Sequence, residues 1–167
     1  MDFTQFDSRS AADEGRPLHI KHPATGEPMQ NEDGTPCLVF VLGIEGRIAQ
    51  AAAKDAAKLD KLPDDATTEE WHERLCLTAE KLITGFTGIN RGQQPATRAD
   101  ARWFLDLQMA NPLSRGKGRS FVEQVLQFSG DRASYLGKPE AASSVPPSKS
   151  GGKTRARTAG KRPAAKP

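Results

Sequence analysis

One short stretch constrains this chain more than any other. Leu18-His19-Ile20-Lys21-His22 alternates apolar and polar residues, the period of a half-buried strand. Pro23-Ala24-Thr25-Gly26-Glu27-Pro28 and Asn31-Glu32-Asp33-Gly34 supply turn chemistry after it. Cys37 to Leu42 is a continuous β-prone run closed by Gly43. The pattern predicts two or three antiparallel strands over 17–43 and no other sheet. A lone hairpin is marginal in water, so this one must pack on helices or on another chain. The fold class that follows is α+β.

The helices are legible on both sides of that hairpin. Before it, Asp7 or Ser8 is placed to cap one or two turns through Ala11, Ala12, Asp13 and Glu14, ended by Gly15. After it, about four helices are expected. Ile48, Ala52, Ala56 and Leu59 share one face of the first, which Pro63-Asp64-Asp65 breaks. Thr68 caps the second, whose face is Trp71, Leu75, Ala79, Leu82 and Ile83; Gly85 and Gly88 stop it, and a loop covers 88–95. Thr97 caps the third, which Asn111-Pro112 ends. A basic link over 114–118 leads to the fourth, with Phe121, Val122, Val125, Leu126 and Phe128; Asp131 caps a last turn through Tyr135 and Leu136.

The pattern stops at Gly137. Residues 138–167 hold no aromatic residue and one aliphatic larger than Ala, Val145. Such a segment lacks the apolar surface to offset the ~1–2 kcal/mol per residue of backbone ordering, so a disordered tail is expected beside a domain over 1–137. Charge divides at the same place. Residues 138–167 carry eight Lys/Arg and one Glu, and 1–137 carry sixteen Lys/Arg and twenty Asp/Glu, so the tail is +7 and the domain −4. Lys149, Lys153, Arg155, Arg157, Lys161, Arg162 and Lys166 form a polyanion-attracting set without sequence readout. A solubilising or linker tail is the other reading.

Catalytic and ligand-binding motifs are scarce. His19 and His22 fall on opposite faces of a strand, and His72 beside Trp71 has no second ligand at an evident spacing. They read as surface or turn histidines. Cys37 and Cys76 form no disulfide framework and read as packing residues in a reducing setting. Gly116-Lys117-Gly118 and Gly152-Lys153-Thr154 lack the earlier glycine of a phosphate loop, having Asn111 and Pro147 in its place. Glu69, Glu70, Glu73 and Glu80 read as a solvated helix face. No nucleophile, metal set or cofactor loop is recognisable, so no enzyme, metal or cofactor is expected. The N-terminus carries no secretory pattern, and no apolar run reaches the length of a membrane span.

The order of short motifs resembles a family of small phage proteins, the tail assembly chaperones of bacteriophages with long, non-contractile tails. The matching pieces are Phe6-Asp7, Ala11-Ala12-Asp13-Glu14-Gly15, the strand and turn from Leu18 to Glu27, and Val41-Leu42-Gly43-Ile44-Glu45. Gly85-Phe86-Thr87-Gly88-Ile89, Pro95 to Leu107, and Phe121 to Leu136 with Asp131-Arg132-Ala133 complete them. Gly46 and Phe86 stand where the family often has Ser and Trp, and the loop over 111–119 is longer and more basic. The resemblance implies a non-catalytic protein of the host cytoplasm that binds the tape-measure protein, keeps its apolar helices soluble and helps tail-tube subunits gather round it. Such a role needs exposed apolar surface. The third helix is one candidate, because the apolar set around Trp103, Phe104 and Leu107 is broad; burial of all three between hairpin and helices is the other reading. A virion-associated or nucleoid-type protein binding DNA through its tail is the alternative function. Oligomeric state is left open.

Overall fold

The computed structural model describes residues 3–110 and 119–136. The chain opens with a 3-10 turn (Phe3–Phe6) and helix α1 (Ser8–Glu14), then strand β1 (Arg16–His19) and strand β2 (Leu38–Val41). Helices α2 (Arg47–Ala57) and α3 (Thr68–Leu82) follow, then β3 (Ile83–Thr87) and a small hairpin, β4 (Asn90–Arg91) and β5 (Gln94–Pro95). A 3-10 turn (Arg98–Asp100) leads into α4 (Ala101–Asp106). Helix α5 (Phe121–Gly130) and a 3-10 turn (Arg132–Ser134) close the described chain. The tail over 138–167 and the basic link over 114–118 lie outside the described residues.

The α+β class is what the hairpin demanded. The main sheet is antiparallel in the order β1-β2-β3, with Leu18 opposite Val39 and Val39 opposite Phe86. Val39 and Val41 are fully buried while Leu38 and Phe40 are half-buried, the alternation of a sheet with one core face. The turns behave as read: Gly26 and Gly34 both take positive φ.

The third strand departs from expectation. Residues 83–87 were read as a helix end and its stop, yet they pair with β2, with an irregularity in register between Phe40 and Val41. The run Ile83-Thr84-Gly85-Phe86-Thr87 has β-branched and aromatic residues, and an available β2 edge decides its state. The loop expected over 88–95 likewise contains the β4–β5 hairpin.

Helices cover the core face. Phe104 of α4 stacks on Phe121 of α5 at 4.7 Å and meets Phe86 of β3 edge-on at 5.3 Å. Gln124 of α5 ties to the sheet edge, accepting the Lys21 N–H and donating to the Lys21 carbonyl, both at 2.9 Å. Tyr135 donates its hydroxyl to the Val41 carbonyl at 3.0 Å, pinning the segment after α5 to the sheet.

The helix starts are local chemistry. Asp7 caps α1 by accepting the Ser10 N–H, and Gly15 ends it at φ 81°. Thr67, one residue before the expected cap, forms a capping box with Glu70. Ser120 and Glu123 do the same for α5. Asp131 caps the last turn by accepting the Ala133 N–H.

Candidate functional site

Helix α3 borders two candidate regions, one polar and one apolar. The polar one joins α3 to α4. His72 and Cys76 are one helical turn apart and both buried, and α4 brings Asp106 against them. His72 Nε2 lies 3.2 Å from Asp106 Oδ1 and 3.4 Å from Cys76 Sγ. Arg102 donates its Nε–H to Asp106 Oδ2 at 2.8 Å and also pairs with Glu73. This corrects the reading of His72 as a surface or turn histidine without a partner; the i,i+4 spacing to Cys76 was the missed signal.

Three donor atoms within 4.8 Å of one another form the one metal-like set among the described residues. Their protons argue against that use. His72 Nδ1 accepts the Ala110 N–H at 3.1 Å, so in the neutral ring the proton sits on Nε2, facing Asp106. A metal at Nε2 would need that proton moved to Nδ1, where it would meet a second N–H. Nucleophilic chemistry fails on charge. Burial pushes the Cys76 thiol up to about 12, so at neutral pH it is not a thiolate. Burial opposes the charge on Asp106, but the hydrogen bond and positive charge of Arg102 outweigh it and hold the carboxyl below its usual range. The cluster is a cross-brace between α3, α4 and the backbone at Ala110.

The other histidines and cysteine are also engaged. His19 contacts the Met29 carbonyl at 2.8 Å through Nε2. His22 accepts the N–H groups of Ala24 and Thr25 through Nδ1, a turn histidine as read. Cys37 is buried and donates to the Gly88 carbonyl at 3.2 Å.

The apolar candidate set on the third helix divides. Phe104 is 2% exposed and belongs to the core, so it presents no surface to a partner. Trp103 is half-buried with the Arg91 guanidinium 5.5 Å above its ring. Leu107 is exposed. The seven tail cations, Lys149 to Lys166, lie outside the described residues.

A more continuous apolar feature lies between α2 and α3. The buried residues of α2 are Ala49 and Ala52; Ala52 belongs to the expected stripe, whose larger members Ile48 and Leu59 stand exposed. Small alanines let the helices approach closely, and the larger side chains are left outside the contact. On α3, Ala79, Leu82 and the adjoining Ile83 of the expected face are buried, with His72 and Cys76 beside them, and Trp71 stands exposed. Two cavities adjoin along this seam. One, about 190 Å³, has Ala52 and Ala56 on its α2 side; the other, about 560 Å³, has Leu62 and Glu69. Leu59 and Leu77 line both, joining them into one trough. Both leucines are about two-fifths exposed, 43% and 41%. Sequence reasoning placed Leu59 on the shared face of the first helix and passed over Leu77.

No helix among the described residues is long and apolar enough to cross a membrane. No family model, curated protein or solved structure matches the chain.

Proposed function

We propose that this protein is a non-catalytic assembly chaperone of phage tail morphogenesis, which holds apolar helical segments of the tape-measure protein and helps recruit tail-tube subunits. The observation that carries the reading is the trough between α2 and α3, where the part-exposed Leu59 and Leu77 line two adjoining cavities. A chaperone for helices needs such a surface, and an amphipathic helix in an apolar groove is a standard recognition mode. The order of motifs from Phe6 to Leu136 supports the phage assignment. The protonated Cys76 and the committed His72 fit a role without nucleophilic chemistry. Co-expression tests the reading. The matching tape-measure protein should aggregate alone and stay soluble with this protein; aggregation in both cases would contradict the proposal.

A second reading, non-specific DNA binding, is favoured by the +7 charge of residues 138–167 against −4 for the rest. It makes no use of the trough. Duplex binding that is steeply salt-dependent, and abolished when the tail cations become Gln, would support it.

A further inference from the structure

The trough has a charged margin as well as an apolar floor, and together they specify an occupant. Residues 55–73 hold seven Asp/Glu and two Lys/Arg. Some of these carboxylates are already committed: Asp55 to Lys58 and Lys81, Glu70 to the α3 capping box, Glu73 to Arg102. Asp60, Asp64, Asp65 and Glu69 have no side-chain ion pair or hydrogen bond among the described residues. Arg74, which also lines the trough, is turned to the Asp60 carbonyl at 2.7 Å. Glu69 lines the larger cavity, and Asp60, Asp64 and Asp65 lie in the α2–α3 link that also carries Leu59 and Leu62, so this stretch sets four such carboxylates against Lys61.

We propose that this trough receives an amphipathic helix from another protein, with leucine-like side chains on one face and Lys or Arg flanking them. The apolar face covers Leu59, Leu62 and Leu77, and the flanking cations meet Asp60, Asp64, Asp65 and Glu69. The chain's own tail has the right charge but the wrong floor contact. Residues 138–167 offer no aromatic residue and only Val145 above Ala in aliphatic size. The inference rests on the chaperone reading and names the chemistry of the segment that would be held.

The test uses the full chain and two labelled probes of about 18 residues, long enough for five helical turns. One is an amphipathic Leu/Lys peptide; the other keeps the Leu face with Glu in place of Lys. Fluorescence anisotropy should show the Lys peptide binding at least about tenfold more tightly than the Glu peptide. The double variant Leu59→Ser with Leu77→Ser should lose about tenfold or more of that affinity, while a thermal melt shows it still folded at the assay temperature. Asp64→Lys with Glu69→Lys should narrow or reverse the preference between the peptides. Equal binding of both peptides, or binding unaffected by the leucine variant, overturns the proposal. A gain of more than about tenfold for the Lys peptide when the tail cations become Gln also overturns it, assigning the site to the tail. Solubility rescue of the tape-measure protein without these peptide results removes the helix-in-trough inference alone; these results without rescue remove the tape-measure reading alone.

Discussion

His72 shows how a residue that looks chemical can be wholly occupied by architecture. One ring nitrogen accepts the Ala110 N–H, and the other faces Asp106 and Cys76. His72→Ala would leave the buried Ala110 N–H without this acceptor, which costs about 1–3 kcal/mol; denaturant unfolding of the variant measures it. Cys76 carries a complementary pH signature. The thiol ionises near 9.0 when unconstrained, and burial raises this to about 12. Between those values the unfolded chain binds fewer protons than the folded one, so stability falls as pH rises through that window. Below pH 9 this group adds no slope. Cys76→Ala should show a shallower decline above pH 9 than the parent, in melts taken across that range. Burial raises Tyr135 as well, so some decline remains in the variant. An identical pH profile would show that Cys76 is not held as a neutral buried thiol.

Among the elements, β3 is the one on which the sheet turns. It follows α3 directly, pairs with β2, and ends at Gly88, which has φ +69°. A Cβ at Gly88 would lie 2.4 Å from the Pro36 carbonyl oxygen. Gly88→Ala should therefore cost about 1–2 kcal/mol for the left-handed backbone alone, with the backbone clash added. A drop in melting temperature of several degrees is expected, and an unchanged melt would contradict this close approach. The legibility of the elements follows from which forces are local. Caps at Asp7, Thr67 and Asp131, and the turns at Gly26 and Gly34, are short-range chemistry, so they were readable at or within a residue of their places. Strand β3 was not, because its state depends on an open β2 edge more than forty residues earlier in the chain. The faces of α2 and α3 were readable only in part: Ala52, Ala79, Leu82 and Ile83 are buried as expected, and Ile48 and Trp71 are not. An alanine-rich contact buries Ala49 and Ala52 and leaves Ile48 and Leu59 outside, and periodicity alone assigns the larger residues inward. The trough was lost with that assignment, since it exists only where two helices meet.

At the scale of the molecule, the clustered positive charge and the apolar trough fall on different parts of the sequence. The domain bears the trough and an excess of carboxylates, and the sequence beyond it bears seven Lys/Arg from Lys149 to Lys166. If the tail is a DNA contact, the slope of log affinity against log salt should approach about −6 when all seven cations meet B-DNA phosphates, and should vanish when they become Gln. Titration of a labelled duplex at several salt concentrations measures it. A shallow slope, or one unchanged by neutralising the tail, would remove that reading. The chaperone account depends instead on the domain. Its most direct test is amide hydrogen exchange on the full chain, alone and in complex with the co-expressed tape-measure protein. The account predicts slowed exchange in the complex over the α2–α3 link, 58–67, and the adjoining ends of α2 and α3. Exchange slowed elsewhere, with residues 52–77 unchanged, would contradict it.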